Sequence, residues 1–166
     1  MSRNLLKHCI GPAAALFVLG LLAACSPKMK DEATIKEALK NMEADALKLG
    51  EPRLVADSLF FGTTKMNSNY GIVDSITAKY GCTATFFVKK GDAFVRISTD
   101  VMQEGHRAIG TDLDPNGPAI KAVREGKPYY GFADILGNPY ETGYDPIETK
   151  DGEIIGVYYV GFQIER

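Results

Sequence analysis

Cysteine and histidine are scarce in this 166-residue chain, with three of the first and two of the second. Cys9 and Cys25 fall within and at the end of a short N-terminal apolar run, which leaves Cys82 alone in everything that follows. One cysteine closes no intramolecular disulfide, so the body of the chain has to be held by packing. His106, with Cys82, lacks the clustered spacing of a zinc or copper site, and no metal or cofactor is expected. Positive charge is not in excess either. Without Arg3 and Lys7 of the N-terminal run, 17 basic side chains stand against 21 acidic ones, a net of −4. Nothing in that balance favours nucleic acid, which is held by a basic face. No Gly-x-Gly-x-x-Gly run precedes a helix and no Walker-type lysine loop occurs, so nucleotide binding has no support, and the glycines read as turns, bulges and close packing.

What is present begins with an export signal. Arg3 and Lys7 give a positive start, Ile10 to Ala24 an apolar stretch broken by Gly11-Pro12, and Leu22-Ala23-Ala24-Cys25 a small-residue site ending in cysteine. The stretch is short of the about 20 residues a spanning helix needs. Leu22 to Cys25 resembles the lipobox of bacterial lipoproteins, which implies cleavage after residue 24 and lipidation of Cys25. Acyl chains contribute roughly 0.8 kcal/mol per buried methylene, so two or three hold a domain firmly on a membrane. Ser26 follows the cysteine where Asp would signal inner-membrane retention, so the resemblance implies the outer membrane in a Gram-negative host. Removing residues 1–24 leaves 142, enough for one domain with a core, and residues 25–30 form a lipidated tether to a domain over 31–166.

Periodicity gives the order of elements. Ile35, Leu39, Met42, Ala46 and Leu49 recur at three- and four-residue steps, predicting a helix from Asp31 to Leu49 that Gly50 and Pro52 end. Leu54 to Gly62 reads as a buried strand, Asn67 to Asn69 as a loop and Ile72 to Tyr80 as a short helix closed by Gly81. Ala84 to Val88 and Ala93 to Ser98 flank a Gly-containing turn and predict a hairpin. A loop through Gly105 and Gly110 and a helix from Pro118 to Glu125 follow, then strands at Tyr129 to Ile135, Asn138 to Pro146 and Glu153 to Phe162. The expected fold is α+β. A central antiparallel sheet of five to six strands carries the long helix on one face and loops with a short helix on the other.

Six ordered segments then carry a family resemblance. They are Ala84 to Val88, Gly91 to Thr99, Arg107 to Thr111, Gly126 to Gly131, Tyr140 to Ile147 and Gly152 to Gly161, joined upstream by Leu59 to Gly62 and Val73-Asp74. Together they resemble bacterial extracytoplasmic single Cache sensor domains of the Cache 3/Cache 2 fusion type, from about Asp31 onward. The resemblance implies a PAS-like ligand-binding domain, a small organic anion such as a short mono- or dicarboxylate as ligand, and dimerisation through the long helix. Receptors of this kind hold the domain between two membrane helices. A lipid anchor takes that place here, so signalling is expected to need a separate receptor or sensor kinase.

Candidate ligand residues follow from strand alternation. Arg96 interrupts an apolar and hydroxyl strand on the same side as Phe94 and Ser98, where a guanidinium would clamp a carboxylate; the alternative leaves that side exposed and turns Val95 and Ile97 inward. Tyr129 and Tyr130 point to opposite faces, and Tyr130 is assigned to the pocket. Asp134 shares the side of Tyr130 and would hold an amine or hydroxyl, or pair with Arg96. Thr142 and Tyr144 share a face and either offer hydroxyl donors or form an ordinary strand face of β-formers, and Arg107 either caps the ligand from its loop or is a solvated loop cation. An enzyme is not expected, because neither Cys82 nor His106 has a recognisable base or orienting partner. The competing use of the fold is a docking surface without a small ligand, against which the joint presence of Arg96, Tyr130, Thr142 and Tyr144 argues.

Overall fold

The computed structural model describes residues 30–164. Cys25 and the signal segment lie outside the described residues. Helix α1 (Glu32–Leu47) starts where Asp31 accepts the Thr34 amide at 2.7 Å, the usual means of satisfying a free first-turn N–H. Its stripe of Ile35, Ala38, Leu39, Met42 and Ala46 is buried. The helix stops short of Leu49, because the chain turns at Gly50 to cross the end of the next hairpin. A Cβ on Gly50 would sit 2.7 Å from the Gly62 Cα, so two glycines let the backbones touch.

The stretch expected as one strand is a hairpin of β1 (Pro52–Val55) and β2 (Ser58–Phe61), turned at Ala56 with φ of +49°, and β3 (Thr64–Lys65) extends it. Helix α2 (Gly71–Tyr80) ends on Gly81 at φ +64°. The main sheet follows, formed by β4 (Thr83–Lys90), β5 (Ala93–Thr99), β8 (Tyr129–Ile135), β9 (Asn138–Glu148) and β10 (Ile154–Gln163). Its order is β5-β4-β10-β9-β8, and all its pairs are antiparallel. Between β5 and β8 run a small hairpin, β6 (Met102–Gln103) with β7 (His106–Arg107), and helix α3 (Pro118–Arg124). The expected loop through Gly105 is thus the turn of that hairpin.

The sheet separates two cores. On one face Phe86, Val88, Tyr158, Val160 and Phe162 pack with α1, α2 and the β1-β2 hairpin. On the other, Phe87, Val157, Tyr159, Tyr140 and Tyr144 pack with Ala119, Ile120 and Val123 of α3 and with Leu113. The outer edge of β5 is covered by residues 110–113: the Arg96 amide donates to the Thr111 carbonyl at 2.9 Å, and the Leu113 amide to that of Phe94 at 2.9 Å. The layer order expected from the sequence is the one found.

One irregularity redirects β5. Phe86 pairs with Ser98 and Phe87 with Arg96, so Ile97 is an extra residue opposite a continuous β4. The bulge breaks the two-residue alternation, leaving Arg96 on the α3 face and both Ile97 and Ser98 on the helix α1 face.

Candidate functional site

A cavity of about 470 Å³ opens on the α3 face. Its walls are the free edge of β8, the start of α3 and the segment Asp112–Asp114, and Arg96 and Tyr144 lie beneath. Among the side chains at this site Arg96 stands out. It is 4% exposed, its guanidinium lies 5.0 Å from the Phe87 ring centroid, and one terminal nitrogen donates to the Thr111 hydroxyl. That hydroxyl in turn donates to the Ala108 carbonyl at 2.9 Å. The Arg96 Nε is buried without any hydrogen-bond partner. Among the described residues no carboxylate comes within 4.0 Å of it. Burial disfavours its charged form and pulls its pKa down, against a smaller opposing effect of Tyr159 and Tyr144. A guanidinium nonetheless stays protonated in proteins, so the floor of the cavity holds a cation with donors to spare.

Tyr144 is buried beside it, its ring 4.9 Å from that of Tyr159 and 6.1 Å from that of Tyr129. Burial drives the Tyr144 phenol far above its ordinary range, so it remains a neutral O–H donor. Tyr129 also lines the cavity, with its hydroxyl donating to the Phe132 carbonyl at 3.0 Å.

Of the residues singled out in the sequence, the cavity gathers Arg96, Tyr144 and Asp134. Asp134 borders it at the β8-β9 turn, where its carboxylate accepts the Gly137 amide at 2.7 Å and is not paired with Arg96. Four others are placed elsewhere. Ser98 is turned away by the bulge and donates to the Asn69 carbonyl at 2.5 Å on the α1 face. Tyr130 also faces α1, packed in that core with the Lys36 ammonium 4.9 Å from its ring; alternation gives the cavity its neighbour Tyr129. Thr142 is on the correct face but under β8, its hydroxyl donating to the Gly131 carbonyl at 2.7 Å. Arg107 is bound to α2 by two bonds to Asp74, at 2.6 and 3.0 Å, with Tyr70 stacked 4.2 Å away, so it joins the β6-β7 hairpin to the helix layer.

Asp112, Asp114 and the apolar Leu113 and Ala119 were not singled out from sequence. Their only signal was position, since they follow the loop that zips onto β5. Cys82 is buried in the α1-side core, and burial, reinforced by Asp100, pushes its thiol up to about 12. Among the described residues no group of three or more His, Cys, Asp or Glu is placed to hold a metal ion, and no helix is long and apolar enough to cross a membrane.

A second recess lies by the end of α1, lined by Glu43, Glu51, Asp145 and Glu148. Burial first, then Glu43 and Glu148, raise the Asp145 carboxyl to about 6 from its ordinary 3.8. The folded state therefore holds this proton more tightly than the unfolded chain. The resulting stability is complete below about pH 4 and is lost as pH rises through 6. Denaturation midpoints of the protein and of Asp145→Asn, measured from pH 4 to 7, should diverge in the variant's favour as pH rises; parallel curves would show that Asp145 titrates normally.

An α+β domain with one helix layer over its sheet, and on the opposite face an open pocket lined by a buried arginine with no carboxylate partner, defines a small-ligand binding module. The chain belongs to the Cache 3/Cache 2 fusion domain family, which matches residues 20–166. Membership puts it among extracytoplasmic small-molecule sensor domains. No curated protein matches the chain. Among solved structures it is similar to the sensor domain of Escherichia coli DcuS, at 18% identity and a TM-score of 0.46, over 79% of this chain and 92% of that one.

Proposed function

We propose that this protein binds a small organic anion, with a carboxylate as the group recognised, and presents that state to a separate signalling partner from a membrane surface to which lipidated Cys25 holds it. The observation that carries the reading is Arg96. A charge removed from water without a partner is costly, and here the buried guanidinium, its Nε unpartnered, lines a cavity with ample room for a small organic acid. A carboxylate satisfies it with charge-assisted hydrogen bonds, and the neutral Tyr144 hydroxyl is a further donor nearby. The receptor or sensor kinase partner, and a homodimer through α1, belong to the same proposal.

The test is a thermal-shift screen of the full chain, purified in detergent, against short carboxylates, amino acids, amines and purines. A ligand bound only by the native state adds about 2.7 kcal/mol of stability at a hundredfold excess over its Kd. Carboxylates should raise the melting temperature. A well-folded protein that answers to none of them would favour a docking role for the fold.

A further inference from the structure

The chain enters the domain beside an exposed apolar strip of the sheet. Phe162 of β10, Glu141 of β9 and Phe132 of β8 are direct partners, forming one row across three strands. The row lies on the α1 face, because Phe162 packs in that core and so does Tyr130, two residues before Phe132. Lys30 closes the inner end of the row: its backbone amide donates to the buried Glu141 carboxylate, and its ammonium lies 5.1 Å from the Phe162 ring centroid. The outer end is open. Phe132 is 56% exposed at the free edge of β8, and Leu136, in the turn that follows, is 40% exposed. Asp134 between them has its carboxylate engaged by the Gly137 amide.

Chain length decides what this strip meets. Cys25 is five residues before Lys30, a span of at most about 18 Å when fully extended. Adjacent strands lie about 5 Å apart, so Phe132 is about 10 Å from Phe162 along the row. The β1-β2 hairpin is at the other end of the sheet. Its Asp57 pairs with Lys90 at 3.2 Å, and Lys90 ends β4, whose first residue, Thr83, is the partner of Gly161 beside Phe162. The length of β4 sets that hairpin about 25 Å away. A lipid on Cys25 therefore keeps the strip, and not the hairpin, within reach of the bilayer.

From this we infer that the domain rests on the lipid surface through Phe132 and Leu136, with the Lys30 ammonium at headgroup level. The inference rests on the lipidation of Cys25 proposed above and adds a fixed orientation to it. An aromatic and an aliphatic side chain beside a lysine suit an interface in which apolar groups enter the acyl boundary and the ammonium stays with the phosphates. The acyl chains already hold the domain at the surface, so this contact has only to choose which side faces down.

The chain has no tryptophan, so a single introduced indole reports alone. The full chain, purified in detergent and reconstituted into phosphatidylcholine vesicles, is prepared as Phe132→Trp, as Leu136→Trp and as Val55→Trp, the last on the distal hairpin. All three positions are exposed, a circular dichroism spectrum checks folding, and mass spectrometry reads acylation of Cys25. In vesicles of bromine-labelled phosphatidylcholine the Phe132→Trp and Leu136→Trp emission should shift to the blue and fall about twofold, and that of Val55→Trp should not change. An acylated chain in which none of the three is quenched overturns the lipid contact while the anchor stands. Equal quenching of all three overturns the orientation. A blue shift at position 132 without quenching gives the strip to a protein surface, a second copy included, and overturns the contact as well. A chain without acyl groups on Cys25 overturns anchor and contact together.

Discussion

Replacing Arg96 with methionine is expected to weaken carboxylate binding by about a hundredfold or more while leaving the ligand-free protein as stable as before, or more so. The two halves of that result come from one fact. Arg96 is buried with no carboxylate beside it, and its fixed attachments are a bond to the Thr111 hydroxyl and a stack on Phe87. Folding therefore carries the cost of desolvating a charge and recovers only part of it. Methionine keeps an unbranched apolar stem against Phe87, and Thr111 keeps its bond to the Ala108 carbonyl. A ligand loses its charged partner altogether. Titration with butyrate and a urea denaturation curve, run on protein and variant side by side, give both numbers. Undiminished binding would remove Arg96 from the site. A stability loss beyond about 2 kcal/mol would make it a structural residue, of the kind whose truncation breaks a buried network.

The opposite pattern is expected for Phe86→Ala. Phe86 is fully buried on the α1 face, 6.0 Å from the ring of Phe61 and 5.6 Å from that of Tyr158, and so ties the β1-β2 hairpin to the centre of the main sheet. Removing a ring from such a site costs about 3 to 5 kcal/mol, from lost burial together with the cavity left behind. Its neighbour Phe87 faces the ligand side and is untouched. Urea denaturation should show the loss, and the variant that remains folded at low temperature should bind carboxylate with unaltered affinity. A change in affinity as large as the change in stability would mean that the two cores are not independent.

The strands and helices were legible because their signals are local. Ile35, Leu39, Met42 and Ala46 mark the buried face of α1 by spacing alone, and Gly81 and Gly91 stop α2 and turn the β4-β5 hairpin where a positive φ is needed. The site was legible only in part, because alternation tells which residues share a face and not which face holds a cavity. Arg96 and Tyr144 were legible as an oddly placed charge and an aromatic at the right period. Tyr129 was exchanged for Tyr130 because the two differ only in the face they take. Ser98 was misplaced by the bulge at Ile97, which a count in twos cannot register. Arg107 reads as a free loop cation until the fold brings Asp74 to it from 33 residues away in the chain.

The glycine at position 143 gives β9 a mechanical character. Tyr144 reaches the cavity from one side of the strand, and on the other side the Cβ position of Gly143 lies 2.6 Å from a methyl of Ile35 and 2.7 Å from one of Leu39. There is no room for even one more carbon between the strand and α1. The pocket and helix α1 thus share a single partition wall with no slack in it. Any outward push on that wall from the ligand side reaches α1 directly, with no hinge and no relay of side chains in between.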